Sequence, residues 1–112
     1  MTRITRGTTN VFADLGFPDA VELQTKTRLA LSVNELLKAR KLKQREIATV
    51  LGVTQPEASA LKSYHLAQFS VGRLMEFLTA LNQDVEITIR PRDNSGETGH
   101  ISVLAVPQTP GP

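Results

Sequence analysis

The chain has 112 residues, 40% of them hydrophobic, a formal net charge of +2 and no cysteine. That composition suits one modest core and excludes both a disulfide framework and a thiolate metal site. No run approaches the roughly 18 apolar residues that span a bilayer, and the basic start MTRITRGTTN is followed by no apolar signal core, so a soluble cytoplasmic protein with no membrane contact is expected.

Residues 1–10 have no period and one isolated Ile, which predicts a flexible segment. VFADLGF at 11–17 is a short apolar lead-in closed by Pro18, and Asp19 stands where it can cap a helix beginning at Ala20. A first helix is predicted over 20–39, its buried stripe marked by Leu29, Val33, Leu36 and Leu37. Just beyond it lies a concentration of positive charge. Lys38, Arg40, Lys41, Lys43 and Arg45 fall within eight residues with no acid between them, a pattern that suits a polyanion as well as a solvated helix end.

A second helix, 44–51, ends at Gly52, which can take the left-handed conformation that closes a helix. Thr54 caps a third, and Pro56, tolerated only in a first turn, fixes its start near Gln55 and leaves it running to Lys62. Residues 64–69 read as a connection. Ser70 then caps a fourth helix over 71–81, with Leu74, Phe77, Leu78 and Leu81 at helical spacing and Asn82 as its stop. From residue 84 the period changes from 3.6 to 2: Val85, Ile87 and Ile89 alternate with polar residues up to Pro91, and Ile101, Val103 and Ala105 alternate after a polar loop. The expected arrangement is a β-hairpin over 84–106, followed by a disordered tail at 107–112. Because a lone hairpin is marginal in water, it is expected to rest on the helices or to pair with a second copy as a dimerisation element.

The stretch 44–63, QREIATVLGVTQPEASALKS, meets the demands of a helix-turn-helix. Ala48 is small where two helices must approach, Gly52 opens the turn, and Ile47, Leu51, Val53, Ala58 and Leu61 supply a shared core. In such a motif the second helix presents its N-terminal residues to base edges in the major groove while the first crosses the backbone. That assigns Gln55, Glu57, Ser59 and Lys62 as base-contacting candidates. Gln55 suits adenine N6 and N7, and Lys62 suits guanine acceptors or a phosphate. Glu57 has two readings, an acceptor from cytosine N4–H or a carboxylate turned away from the phosphates. Lys43, Gln44, Arg45, Thr54 and Tyr64 are the phosphate-contacting candidates, with Thr54 first of all a cap. One recognition helix covers few base pairs, which argues for a homodimer, with either the strands or the helices as its interface.

No HExxH, GxxxxGK[ST] or GxSxG is present, and His65 and His100 stand far apart, so no catalytic residue, metal or other cofactor is expected. At 44–62 the pattern resembles the phage-repressor-like XRE family, which implies a mainly α, four- to five-helix domain around the motif. Over roughly 10–106 the chain is similar to the HigA-like antitoxins, through NVFADLGFPDA at 10–20, LGVTQPEASAL at 51–61, FSVGRLMEFLTALNQDVEI at 69–87 and the following IRPR. That resemblance implies a repressor that dimerises on the palindromic operator of its own operon and neutralises a RelE-like ribonuclease toxin. The alternative is a stand-alone XRE-family regulator without a toxin; a helical adaptor that uses the same hairpin for protein contact alone is a third reading. The implied domain plan is a helix-turn-helix domain at 11–83 with the hairpin at 84–106. KSYHLAQFS departs from the pattern, since relatives often carry an Arg-Gly-Arg type turn there and a Lys in place of Glu57.

Overall fold

A computed structural model describes residues 20–93, 96 and 98–106. The lead-in at 11–17, the Asp19 cap, the flexible segment at 1–10 and the tail at 107–112 lie outside the described residues. Among the described residues four helices are seen: α1 (Ala20–Ala39), α2 (Gln44–Leu51), α3 (Gln55–Lys62) and α4 (Val71–Ala80). α1 packs most extensively on α4, and α2 on α3. The stripe predicted for α1 is buried at Leu29, Val33 and Leu37, with Leu36 half-buried beside it, and Ala30 joins the core. Ile47, Ala48 and Leu51 of α2 meet Ala58 and Leu61 of α3, while Leu74, Phe77, Leu78 and Leu81 close the core from α4 and its end.

α1 also acts as a post that satisfies carbonyls left over where other helices end. The last turns of a helix lack intrahelical partners for their C=O groups. Asn34 Nδ2 donates to the Leu61 carbonyl at 3.1 Å and Arg40 Nη2, from the residue just past α1, donates to the Leu81 carbonyl at 2.8 Å, so α1 and its exit hold the ends of both α3 and α4. Lys26, buried on the same helix, donates to the Leu66 carbonyl at 3.5 Å and pairs with Glu22 at 3.4 Å. Arg40 is thereby drawn out of the basic cluster into a structural role.

Three helices end in one pattern. In α2 the N–H of Val53 donates to Ala48 O at 2.9 Å and that of Gly52 to Thr49 O at 3.3 Å; in α3 His65 donates to Ala60 O at 2.8 Å and Tyr64 to Leu61 O at 3.1 Å; in α4 Gln83 donates to Leu78 O and Asn82 to Thr79 O, both at 3.0 Å. Each is the paired closure built around one left-handed residue: Gly52 at φ 70°, Tyr64 at φ 61° and Asn82 at φ 66°. A Cβ added at Gly52 meets nothing within 4 Å, so the cost of Gly52→Ala is conformational. The substitution is expected to lower stability by about 1 kcal/mol in urea unfolding, with no change in helix content.

The C-terminal region corrects the expectation of a β-hairpin. Among the described residues of 84–106 there is no strand. Val85 and Val103 are half-buried and pack against the helical core, whereas Ile87 and Ile89 are 74% and 78% exposed and Leu104 is 92% exposed. Alternation produces a strand only where a paired backbone takes up the N–H and C=O groups and a surface covers the apolar face. Beyond Val85 and Val103 the described helices supply no such cover.

Candidate nucleic-acid interface

The capping that fixes the motif is visible atom by atom. At the start of α3 the Thr54 hydroxyl accepts the Glu57 N–H at 3.2 Å, and the Glu57 carboxylate accepts the Thr54 N–H at 3.0 Å, a reciprocal capping box. At the start of α2 the Glu46 carboxylate accepts the Lys43 N–H at 2.7 Å. Gln44 Nε2 reaches the Gln55 carbonyl at 3.4 Å, joining the first residues of the two motif helices. Thr54 is thus a cap, as its position implied, and its hydroxyl hydrogen is left to donate elsewhere.

Burial sorts the recognition-helix candidates. Ala58 and Leu61 face the core, which turns Gln55, Ser59 and Lys62 outward at i, i+4 and i+7 as one exposed stripe. Lys43, Gln44 and Arg45 are exposed at the first turn of α2. Lys38, Lys41 and Lys62 rim one cleft of about 460 Å³ between α1 and α3, so the basic cluster is continuous with the far end of the recognition helix. Tyr64 is exposed, at the left-handed position just past α3.

Glu57 is brought elsewhere. It lies off the outward stripe, half-buried, and the Arg73 guanidinium of α4 donates to it from Nη1 at 3.1 Å and from Nη2 at 3.3 Å. Arg73 in turn lies over the rings of Phe69 and Phe77, at 5.3 and 5.5 Å from their centroids. Sequence reading missed Arg73 altogether. Its only local signal is an arginine spaced four residues from a phenylalanine on either side, a pattern that surface helices carry as well.

The Arg73 guanidinium first, and the Thr54 N–H second, hold the Glu57 carboxyl below the usual carboxylate range. A depressed folded value makes a stabilising contribution that is fully present above the unfolded pKa and is lost as pH falls through the folded one. Thermal unfolding of the wild type and Glu57→Gln, followed from about pH 6 to about pH 3, is therefore expected to converge toward the acid end. A gap between them that widens on acidification contradicts this.

Among the described residues no cluster of His, Asp or Glu could hold a metal, and no described helix is long and apolar enough to cross a membrane.

The helices, the capped turn and the outward stripe define a helix-turn-helix protein, and residues 11–90 match the helix-turn-helix domain family, to which the chain belongs. Within that class it belongs to the XRE family. It is 49% identical to a solved structure described as an XRE-family transcriptional regulator, with a TM-score of 0.75 over 80% of this chain and all of that one. A comparison with curated proteins finds no match. The family is one of regulators rather than enzymes.

Proposed function

We propose that this chain is a sequence-specific repressor that binds double-stranded DNA, with α3 in the major groove. The observation that carries the reading is the stripe of Gln55, Ser59 and Lys62, turned outward on a helix whose opposite face is locked in the core. Lys43, Arg45 and Gln44 at the start of α2 then meet phosphates, helped by the positive end of that helix, and Thr54 and Tyr64, at the two ends of the recognition helix, are the further phosphate contacts. Gln55 reads adenine and Lys62 reads guanine or a phosphate.

Two contact classes give the test. Lys43→Ala and Arg45→Ala should each weaken binding to every duplex alike and reduce the salt slope by about 0.9. Gln55→Ala should instead relax preference at one base pair at a cost of about 1–3 kcal/mol. Equal effects of both kinds of substitution on all sequences contradict the docking, and no titration of any duplex removes the DNA reading in favour of a helical adaptor.

Within this reading we infer an antitoxin that represses its own operon as a homodimer on a palindromic operator in the cytoplasm. Support comes from the similarity of 10–20, 51–61 and 69–87 to HigA-like antitoxins. Co-expression with the product of the adjacent gene, followed by purification, should yield a stable complex with a RelE-like toxin. A neighbouring gene whose product does not bind favours a stand-alone XRE-family regulator, a reading that the description of the solved relative also fits.

A further inference from the structure

Glu57 occupies the third position of the recognition helix, where a carboxylate facing a phosphate backbone is repelled, yet the structure surrounds it with donors. One oxygen accepts the Thr54 N–H at 3.0 Å and Arg73 Nη2 at 3.3 Å, while the other accepts Arg73 Nη1 at 3.1 Å. This is the two-pronged guanidinium–carboxylate fork, which fixes direction as well as distance. About a third of the Arg73 side chain and a quarter of that of Glu57 remain exposed.

The anchor behind the fork is rigid. Phe69 and Phe77 are buried and meet edge to face, with centroids 5.7 Å apart, and the guanidinium lies over both rings. Arg73 is itself held in the first turn of α4, where its N–H donates to the Ser70 hydroxyl at 3.0 Å. By contrast α3 packs its apolar face on α2 and to a lesser extent on α1, and has little packing of its own with α4. The fork therefore ties together α3 and α4, two helices whose backbones otherwise approach each other little, and it grips α3 at the end that enters the groove.

Resting on the DNA-binding reading, we propose that the Glu57–Arg73 pair sets the angle at which α3 presents Gln55, Ser59 and Lys62, and so determines base discrimination without touching a base. Glu57 is a positioning residue and Arg73 its anchor. The same contact neutralises the carboxylate, so that Glu57 does not repel the duplex. A tilt of a short helix moves all its outward side chains together, so loosening the fork degrades readout at several base pairs at once.

The full-length chain and its variants are tested against a random-sequence duplex library, the duplex that the wild type selects from it, and a scrambled duplex of equal length. Arg73→Met, Glu57→Ala and the double substitution are each expected to lower the selected-to-scrambled affinity ratio about tenfold. The double is expected to lose no more than either single, and scrambled binding should stay within about twofold of the wild type. The loss should be spread over several positions of the selected sequence. Arg73→Lys, which keeps the charge but not the fork, and Glu57→Gln, which keeps the cap but not the charge, are expected to fall in between; both preserve the fold if the larger substitutions do not. A preference lost at a single base pair in Glu57→Ala, with the Arg73→Met sequence unchanged, makes Glu57 a base reader and overturns the proposal. Unchanged ratios in all variants overturn it as well. Selection of no sequence by the wild type removes the DNA-binding reading itself, a failure seen before any substitution is made.

Discussion

Phe69→Ala is expected to destabilise the domain by about 3–5 kcal/mol, the range for truncating a fully buried aromatic. Phe69 is 1% exposed and belongs to no helix, yet it is among the largest side chains wholly inside the core. Its loss removes apolar burial and also the edge-to-face contact with Phe77, which adds about 0.5–1.5 kcal/mol beyond area. For a domain whose total stability is on the order of 5–15 kcal/mol, that is a large share. Urea unfolding followed by circular dichroism should show a lower midpoint with an unchanged slope. A change below about 1 kcal/mol would mean that the 63–70 connection repacks freely around the gap. Because Arg73 lies over the same ring, the surviving folded fraction should also discriminate duplexes less well.

Removal of residues 99–112 is expected to have the largest effect on binding. In the proposed homodimer, two recognition helices engage one operator, and joining two binding events raises apparent affinity by about 10²–10⁴ without a new contact. The exposed Ile87 and Ile89, together with Leu104 and Val106, are the surface that a second copy would cover. The truncated chain should run as a monomer in light scattering and should lose at least about a hundredfold in affinity for a two-half-site duplex. Affinity for a single half-site should hardly move. A dimer that persists with unchanged affinity places the interface on the helices.

The helical part of the molecule was legible because its signals are local. Apolar spacing of three and four, Gly52, Thr54 with Pro56, and Ser70 each dictate structure within a few residues, and α1 to α4 fall where these place them. The outward side of α3 followed from the same register, since burying Ala58 and Leu61 leaves Gln55, Ser59 and Lys62 outside. What could not be read depends on contacts between distant residues. Leu66 and Phe69 sit in a connection too short for any period, and only tertiary packing buries them. The Arg73–Glu57 fork joins residues sixteen apart in the chain, and Asn34 and Arg40 look like surface residues until the carbonyls they serve are brought beside them. At 85–89 the period-2 pattern is real, but it records the need for a covering surface, and among the described residues only Val85 of the three apolar positions finds one.

The helix ends carry a dynamic consequence. Of the left-handed corners that follow α1, α3 and α4, none is a glycine: Lys41 and Tyr64 occupy a region that their side chains disfavour, while Asn82 is of the type that tolerates it best after glycine. These exposed corners are held by the backbone hydrogen bonds that close each helix, donated by the N–H groups of Lys41, Tyr64 and Asn82 at 3.0, 3.1 and 3.0 Å, and they open when those bonds break. Slow local opening is therefore expected to begin there, with amide protons near 41, 64 and 82 exchanging with solvent well before those of the Leu74 and Ile47 interior.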